Sequence, residues 1–370
     1  MATGNAACHG VKHADQAANV RVFPVADGGE GTLDALMAPL GGQLFKVEVA
    51  NAVCLPVSAS YGIISSDAGR SAVLESAQAV GLGDLEVSDA LPRQASSYGL
   101  GMLAGHALNQ GVDELVVALG GSVTTDGGAG LLQALGARLF DSGNHEISIR
   151  GNPLWSFDHA DFSGLPDFSN VRVKVLCDVD NPMTGPNGAA AVFGPQKGAT
   201  PQQVQHLEAQ QRRWARALEG HFGVSVAEAR GAGAAGGLGG ALLALGGQTE
   251  PGFDYVAGAL GLEAAIAEAD LVITGEGSID SQSAHGKVPS GVGRLARAAG
   301  VIVVGLAGRV GYPLGELEGL LDGIFCIHSE PLTLEQAVEP DRTAAGISRV
   351  AGQVVKLVSA AAGNATRHGK

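Results

Sequence analysis

Two aspartates in the stretch VLCDVDNPMTGP have the residue type and spacing for metal or acid–base chemistry. Asp178 and Asp180 follow an apolar run ending at Cys177, so both fall just past a predicted strand. At positions i and i+2 they share a face where the chain stays extended. Two such carboxylates could hold Mg²⁺ with waters and substrate phosphates, or one could accept a hydroxyl proton in phosphoryl transfer. The alternative is an Asx turn with Asn181 and Pro182.

The loop LGGSVTTDGGAG, residues 119–130, is a second candidate because it joins an apolar run to a helical pattern. Glycine lets anion oxygens reach backbone N–H groups, and the start of a helix attracts negative charge. The loop carries no lysine, and the phosphate-binding pattern GxxxxGK[ST] is absent from the chain. The candidate binding residues of this loop are Gly120, Gly121, Ser122, Thr125 and Asp126.

Two lysines from elsewhere could supply the missing positive charge. Lys197 in GPQKGAT and Lys287 in AHGKVPSG both lie among glycines, not on the polar faces of helices. The chain has a formal net charge of −14, so cations in turn-rich loops are candidate partners for phosphate. The alternative is that both are ordinary exposed loop lysines.

Two more loops combine glycine with carboxylates. Asp27 and Glu30 in ADGGEGT could cap a helix or belong to a site. In TGEGSIDSQSAHGK, the residues Glu276, Asp280 and His285 stand close to Lys287. His285 could carry a proton or donate a hydrogen bond to substrate.

The elements that must position these residues alternate between short apolar runs and helical patterns. Several runs consist of continuous Val, Ile and Leu, which is typical of parallel strands covered on both faces. This predicts an α/β fold with ligands bound at the carboxyl ends of the strands. A length of 370 residues favours two domains. The candidate strands are 20–26, 44–50, 71–77, 114–120, 171–177, 270–276, 301–307 and 323–329.

One helix is marked by local signals alone. Thr200 is placed to cap it, Pro201 suits its first position, and Gln203 completes a capping box. Apolar residues recur at helical spacing as far as Phe222, and Trp214 among them is predicted to be a core residue.

Charge and motif content exclude several functions. A net charge of −14 argues against general binding to nucleic acid or a membrane surface. The N-terminus has no signal-like apolar region and no long apolar span occurs, which predicts a cytoplasmic protein. An NAD-dependent oxidoreductase is disfavoured, because no glycine motif in a first strand–helix–strand unit is followed by a ribose-binding acid.

Taken together, the loops resemble those of the type 1 glycerate kinase family. The matching stretches are VADGGEGT, GGSVTTDGGAGLLQALGA, CDVDNPMTGPNGAAAVFGPQKGAT, GAGAAGGLGG and ADLVITGEGSIDSQSAHGK. The resemblance runs from about residue 20 to the C-terminal helix.

The resemblance implies ATP-dependent phosphorylation of D-glycerate to 2-phosphoglycerate, with Mg²⁺, in a cleft between two α/β domains. One domain would be flavodoxin-like (1–60 and 290–370) and the other inserted (61–289). Whether the chain forms a homodimer is left open by the resemblance. The implied catalytic residues are Asp178, Asp180, His285 and Lys287, with Asp178 and Asp180 also as metal ligands. The implied substrate- and ATP-binding residues are Asp27, Glu30, Gly120, Gly121, Ser122, Thr125, Asp126, Lys197, Glu276 and Asp280.

One part of the family pattern has no counterpart here. The family opens with an apolar strand that ends in a motif like PDSFKGSLSA, whereas residues 1–19 read MATGNAACHGVKHADQAAN. The alternative hypothesis is therefore a catalytically impaired or non-catalytic relative that binds glycerate or nucleotide.

Overall fold

The computed structural model describes residues 2–83, 85–284 and 287–368, and the predicted α/β fold class is confirmed. None of the helices within these ranges has the length and apolar character needed to cross a membrane. The strands are β1 (Gln43–Ala50), β2 (Pro56–Ser66), β3 (Gly69–Glu75), β4 (Glu114–Ala118), β5 (Arg138–Phe140), β6 (His159–Asp161), β7 (Arg172–Leu176), β8 (Gln248–Glu250), β9 (Leu271–Ile279), β10 (Ile302–Val310) and β11 (Gly323–Cys326).

The helices alternate with these strands along much of the chain. They are α1 (Ala2–Ala14), α2 (Thr32–Leu40), α3 (Ser76–Val80), α4 (Leu91–Gln94), α5 (Tyr98–Leu108), α6 (Ala129–Ala134), α7 (Ala189–Phe193), α8 (Pro201–Phe222), α9 (Ala234–Ala244), α10 (Gly252–Ala259), α11 (Leu262–Ala267), α12 (Val288–Ala299), α13 (Leu317–Leu320), α14 (Leu334–Ala337) and α15 (Pro340–His368). Short 3₁₀ turns occupy Pro153–Trp155, Pro195–Lys197 and Ser281–Ala284.

Backbone contacts divide the chain into two compact units. The larger unit comprises Gly28–Tyr255, and the smaller one comprises Met1–Asp27 with Val256–Lys370. The domain junctions predicted near residues 60 and 290 both lie later in the chain than the boundaries between these two units. The predicted domain assignment stays a prediction.

The larger unit is built on a six-stranded sheet in the order β1-β2-β3-β4-β7-β8. β1, β2 and β3 pair in antiparallel fashion, and β3, β4, β7 and β8 run parallel. The carboxyl ends of the four parallel strands therefore meet at one edge. Glu75, the loop 119–130, Asp178 and Gly252 lie at or just after these ends, in that spatial order.

The core of this unit contains the helix that local signals predicted. Thr200 Oγ1 accepts from Gln203 N and the Gln203 side chain accepts from Thr200 N, so the predicted capping box is present at the start of α8. Trp214 is fully buried, as predicted, and its indole packs edge-on against Phe157 at 5.0 Å between centroids. α8 thus packs against α7, α9 and the turn Pro153–Trp155.

The smaller unit contains a parallel sheet in the order β11-β10-β9. Leu306 and Ile327 pack with α15, and Ala6, Ala7 and Val11 of α1 cover the same cluster. The predicted strand at 20–26 is wrong, since these residues form no strand in the structure. An apolar run specifies a strand only where a neighbouring strand pairs with it.

Candidate functional site

The loop 119–130 is fixed to the loop 28–31 by close backbone contact. Gly120 N donates to Gly28 O at 3.3 Å, and a Cβ on Gly120 would collide with Gly29 Cα. A residue with a side chain at position 120 would push the two loops apart. The sequence signal of repeated glycine therefore marks a tight junction between two loops that were both predicted to belong to the site.

Asp126 stabilises the second half of this loop from inside. Its buried carboxylate accepts from Ser97 N at 2.7 Å, Ser97 Oγ at 2.8 Å, and Gly128 N and Gly130 N at 3.2 Å each. Burial raises the pKa of Asp126, and the hydrogen bonds partly offset the rise. The N–H groups of Gly128 and Gly130 are thus used by a side chain of the same loop. The predicted role of Asp126 in ligand binding stays a prediction, and its contacts are with the loop itself.

Three hydroxyl groups in the first half of the loop find no partner among the described residues. Ser122 Oγ, Thr124 Oγ1 and Thr125 Oγ1 are buried and make no hydrogen bond within the part of the chain that the structure describes. A buried polar atom left unpaired costs about 1–3 kcal/mol, so three in four residues are unusual. Such groups are suited to bonding oxygens of a bound anion. Ser122 and Thr125 were predicted from the sequence, and Thr124 was not.

Lys197 lies against the same loop, 73 residues further along the chain. Its side chain is 7% exposed, and Nζ donates to Thr124 O at 2.8 Å. Burial lowers the pKa of Lys197 to about 8, and the negative charge of Asp126 opposes that shift. The loop 119–130 contains no lysine, and the structure places the ammonium group of Lys197 beside it, as the sequence predicted.

Asp178 and Asp180 lie just past the end of β7, as predicted. Asp178 Oδ1 accepts from Gly252 N at 3.0 Å, and Asp180 Oδ2 pairs with Arg230 at 2.6 Å. Both side chains are exposed, and Arg230 was not predicted as a neighbour. Among the described residues no cluster of three or more His, Cys, Asp or Glu could hold a metal. Two exposed carboxylates still fit Mg²⁺, which retains waters and phosphates as its other ligands.

Glu75 is a buried carboxylate that the sequence analysis missed. It is 2% exposed at the end of β3, and its Oε1 accepts from Leu33 N at 2.7 Å. This bond ties the first turn of α2 to the sheet edge and holds the preceding loop, in which Glu30 is exposed and Asp27 half-buried. In the sequence, the only sign of this residue's role was an acidic residue at the end of the apolar run SAVLE.

In the smaller unit Glu276 lies near the carboxyl end of β9, and Asp280 and Lys287 follow the strand. Glu276 accepts from Ser283 Oγ at 2.8 Å and from Lys287 Nζ at 3.1 Å. Asp280 begins the turn that contains Ser283, whose N donates to Asp280 O at 3.0 Å. His285 lies outside the described residues. The structure thus brings Glu276, the turn after Asp280 and Lys287 together at the carboxyl end of β9, as their spacing suggested.

The chain matches a family model with the description "Glycerate kinase family" over residues 1–359. A glycerate kinase of Bacillus subtilis (strain 168) is 42% identical over 333 residues, covering 89% of this chain and 87% of that protein. The glycerate 2-kinase of Escherichia coli (strain K12) is 41% identical over 317 residues, covering 85% and 83%.

A solved structure shows the same likeness in three dimensions. The crystal structure of a candidate glycerate kinase 2 from Salmonella typhimurium LT2 superposes with a TM-score of 0.84 at 40% identity. The match covers 97% of this chain and 94% of that one.

Proposed function

The chain belongs to the glycerate kinase family, and from this premise we propose that it transfers the γ-phosphoryl group of ATP to the 2-hydroxyl of D-glycerate. The observation that carries the proposal is the family match over residues 1–359, together with about 40% identity to proteins named as glycerate kinases. This match also disfavours the alternative of a non-catalytic relative.

The loop 119–130 is the proposed place for phosphoryl oxygens. Phosphoryl transfer requires little covalent help from a protein, and depends on positioning and on neutralising charge. Lys197 supplies a positive charge, and the buried hydroxyls of Ser122, Thr124 and Thr125 supply donors. The junction between Gly120 and the loop 28–31 holds the backbone in place.

Asp178 and Asp180 are proposed either to bind Mg²⁺ or to receive the proton of the attacking hydroxyl. When bound, Mg²⁺ neutralises charge that develops on the phosphoryl oxygens. The bond from Gly252 N fixes the orientation of Asp178. Arg230 likewise fixes the orientation of Asp180, because the bond joins a charged guanidinium to a charged carboxylate.

The carboxyl end of β9 and the loop that follows it are proposed to bind the hydroxy acid. Glu276 and Asp280 can accept hydrogen bonds from hydroxyl groups, while Lys287 limits the repulsion between Glu276 and an anionic substrate. His285 is proposed as a proton carrier on the basis of its residue type and sequence neighbours.

The test compares ADP release by the wild-type chain with that of Asp178→Asn and Asp180→Asn. We expect ADP release that depends on D-glycerate, and a loss of at least about 100-fold in each variant if the carboxylate acts on the reacting groups. A raised Mg²⁺ requirement assigns the carboxylate to the metal, whereas a lower kcat at unchanged Mg²⁺ requirement assigns it to the proton. Asp67→Asn, in an exposed turn of the larger unit, is the matched control and should keep the wild-type rate of ADP release. Wild-type rates in both the Asp178 and the Asp180 variants would refute the assignment.

A further inference from the structure

Arg309 stands at the carboxyl end of β10, the middle strand of the smaller sheet. In the ladder it pairs with Ser278 of β9, two residues after Glu276. Its guanidinium lies over Gly311: a Cβ on that glycine would be 3.8 Å from Arg309 Nη2 and 3.2 Å from Asp280 Cβ. Arg309 therefore borders the loop proposed to bind the hydroxy acid, although no motif marked it in the sequence.

The guanidinium of Arg309 is exposed, and among the residues that the structure describes it has no hydrogen-bond or ion-pair partner. Other arginines of the same unit behave differently, since Arg21, Arg297 and Arg342 each bond a carboxylate. In a chain of net charge −14, an arginine without a carboxylate partner at a strand end has its donors available.

A hydroxyl group lies beside Arg309 on the same face of the smaller sheet, because Arg309 and Ser278 are directly paired in the ladder. Ser278 Oγ is buried and has no hydrogen-bond partner among the described residues. An unpaired hydroxyl and an unpaired guanidinium thus stand on adjacent strands, at the end of a parallel sheet where ligands bind in open α/β folds.

The charged groups near Arg309 indicate which class of ligand fits there. Arginine presents a planar fork of donors that matches a carboxylate or a phosphate. Glu276 and Asp280, however, would repel a triphosphate, while both can accept hydrogen bonds from hydroxyl groups. A ligand with one carboxylate and neighbouring hydroxyls can contact the cation and the two acids together.

We propose that Arg309 binds the carboxylate of the hydroxy acid substrate and thereby determines the preference for acids over neutral polyols. This rests on the proposed function, because it deepens the description of the acceptor site. It adds a residue outside the motifs by which the family was recognised.

The test measures binding of D-glycerate and of glycerol by calorimetry without nucleotide, and KM values for D-glycerate and ATP, in the wild type, Arg309→Gln and Arg309→Lys. For Arg309→Gln we expect D-glycerate affinity to fall about 10- to 100-fold with KM for ATP unchanged. Arg309→Lys keeps the charge but loses the fork, so it should be intermediate. Weak binding of glycerol should not change. Arg150→Gln, which removes an exposed arginine of the larger unit, is the matched control.

Two results would overturn the inference. Unchanged D-glycerate affinity in Arg309→Gln, or a rise in KM for ATP alone, would show that the guanidinium does not hold the carboxylate. A wild type that neither binds nor phosphorylates D-glycerate would instead refute the proposed function, and the inference with it. Matching thermal unfolding curves for wild type and variants separate loss of binding from loss of folding.

Discussion

Lys197 and Thr124 are joined by a buried hydrogen bond of 2.8 Å from the ammonium group to the backbone carbonyl, across 73 residues of chain. The bond places a cation with a lowered pKa against a loop whose neighbouring hydroxyls are unpaired. A buried charge is costly unless it is compensated. Asp126 supplies a negative charge near Lys197, and the anion that we propose for this loop would add another.

The pH dependence of stability should report on Lys197. Burial lowers its pKa from 10.5 to about 8, so the unfolded chain binds more protons between these values. The contribution of Lys197 to the free energy of unfolding therefore rises with pH in this window. Relative to Lys197→Met, wild type should gain about 2 kcal/mol between about pH 7.5 and about pH 10 in urea unfolding experiments. A difference that is flat with pH would contradict the assignment.

Asp126→Asn should destabilise the larger unit. The amide has one acceptor oxygen, and its NH₂ group would face backbone donors that now bond the carboxylate. We expect a loss of about 2–3 kcal/mol in the free energy of unfolding. Asp67→Asn, in an exposed turn, should change it by less than about 0.5 kcal/mol. Equal effects of the two substitutions would show that Asp126 does not hold the loop.

Gly120→Ala should separate the loops that meet at this glycine. The added methyl would collide with the backbone of Gly29, which cannot rotate away as a side chain can. We expect ADP release with D-glycerate to fall by at least about tenfold, since small displacements of positioning groups are costly to catalysis. Gly220→Ala within α8 meets no atom within 4 Å and serves as the control. Full activity of Gly120→Ala would rule out the junction as a requirement.

Glu75→Ala should loosen the start of α2. The backbone N–H of Leu33 would lose Glu75 Oε1, its side-chain acceptor among the described residues. We expect this loss to lower the free energy of unfolding by about 1–3 kcal/mol. Hydrogen exchange at the Leu33 amide should become faster. Exchange of the amides in β4 should become faster only by the amount that the lower free energy of global unfolding accounts for. Unaltered protection of Leu33 would mean that Glu75 is not the residue that fixes this turn.

Local signals in the sequence were sufficient for some elements. The capping box at Thr200 and Gln203, followed by Pro201 and an apolar stripe, predicts α8 because each signal acts within a few residues. The strand predicted at 20–26 failed because pairing depends on what lies beside it. Residue types and spacing predicted one polar group that contains Glu276 and Lys287, and the structure bonds these two side chains, while their role in a site stays a prediction.

Contacts between distant parts of the chain limited the prediction of the site. Asp126 has the same residue type whether it binds a ligand or caps its own loop, and its two shortest hydrogen bonds come from Ser97, which lies 29 residues earlier in the chain. Arg309 stands in an apolar strand without a motif, and its relation to Asp280 follows from the register of β9 and β10. Glu75 was missed for the same reason.

The most direct test of the proposed function is identification of the product. The chain is incubated with ATP, Mg²⁺ and D-glycerate, and the phosphorylated acid is identified by ³¹P NMR against authentic 2- and 3-phosphoglycerate. We predict 2-phosphoglycerate in an amount equal to the ADP released. No phosphorylated glycerate, with D-glycerate and ATP both intact, would contradict the kinase assignment. Formation of 3-phosphoglycerate alone would contradict the proposed position of transfer.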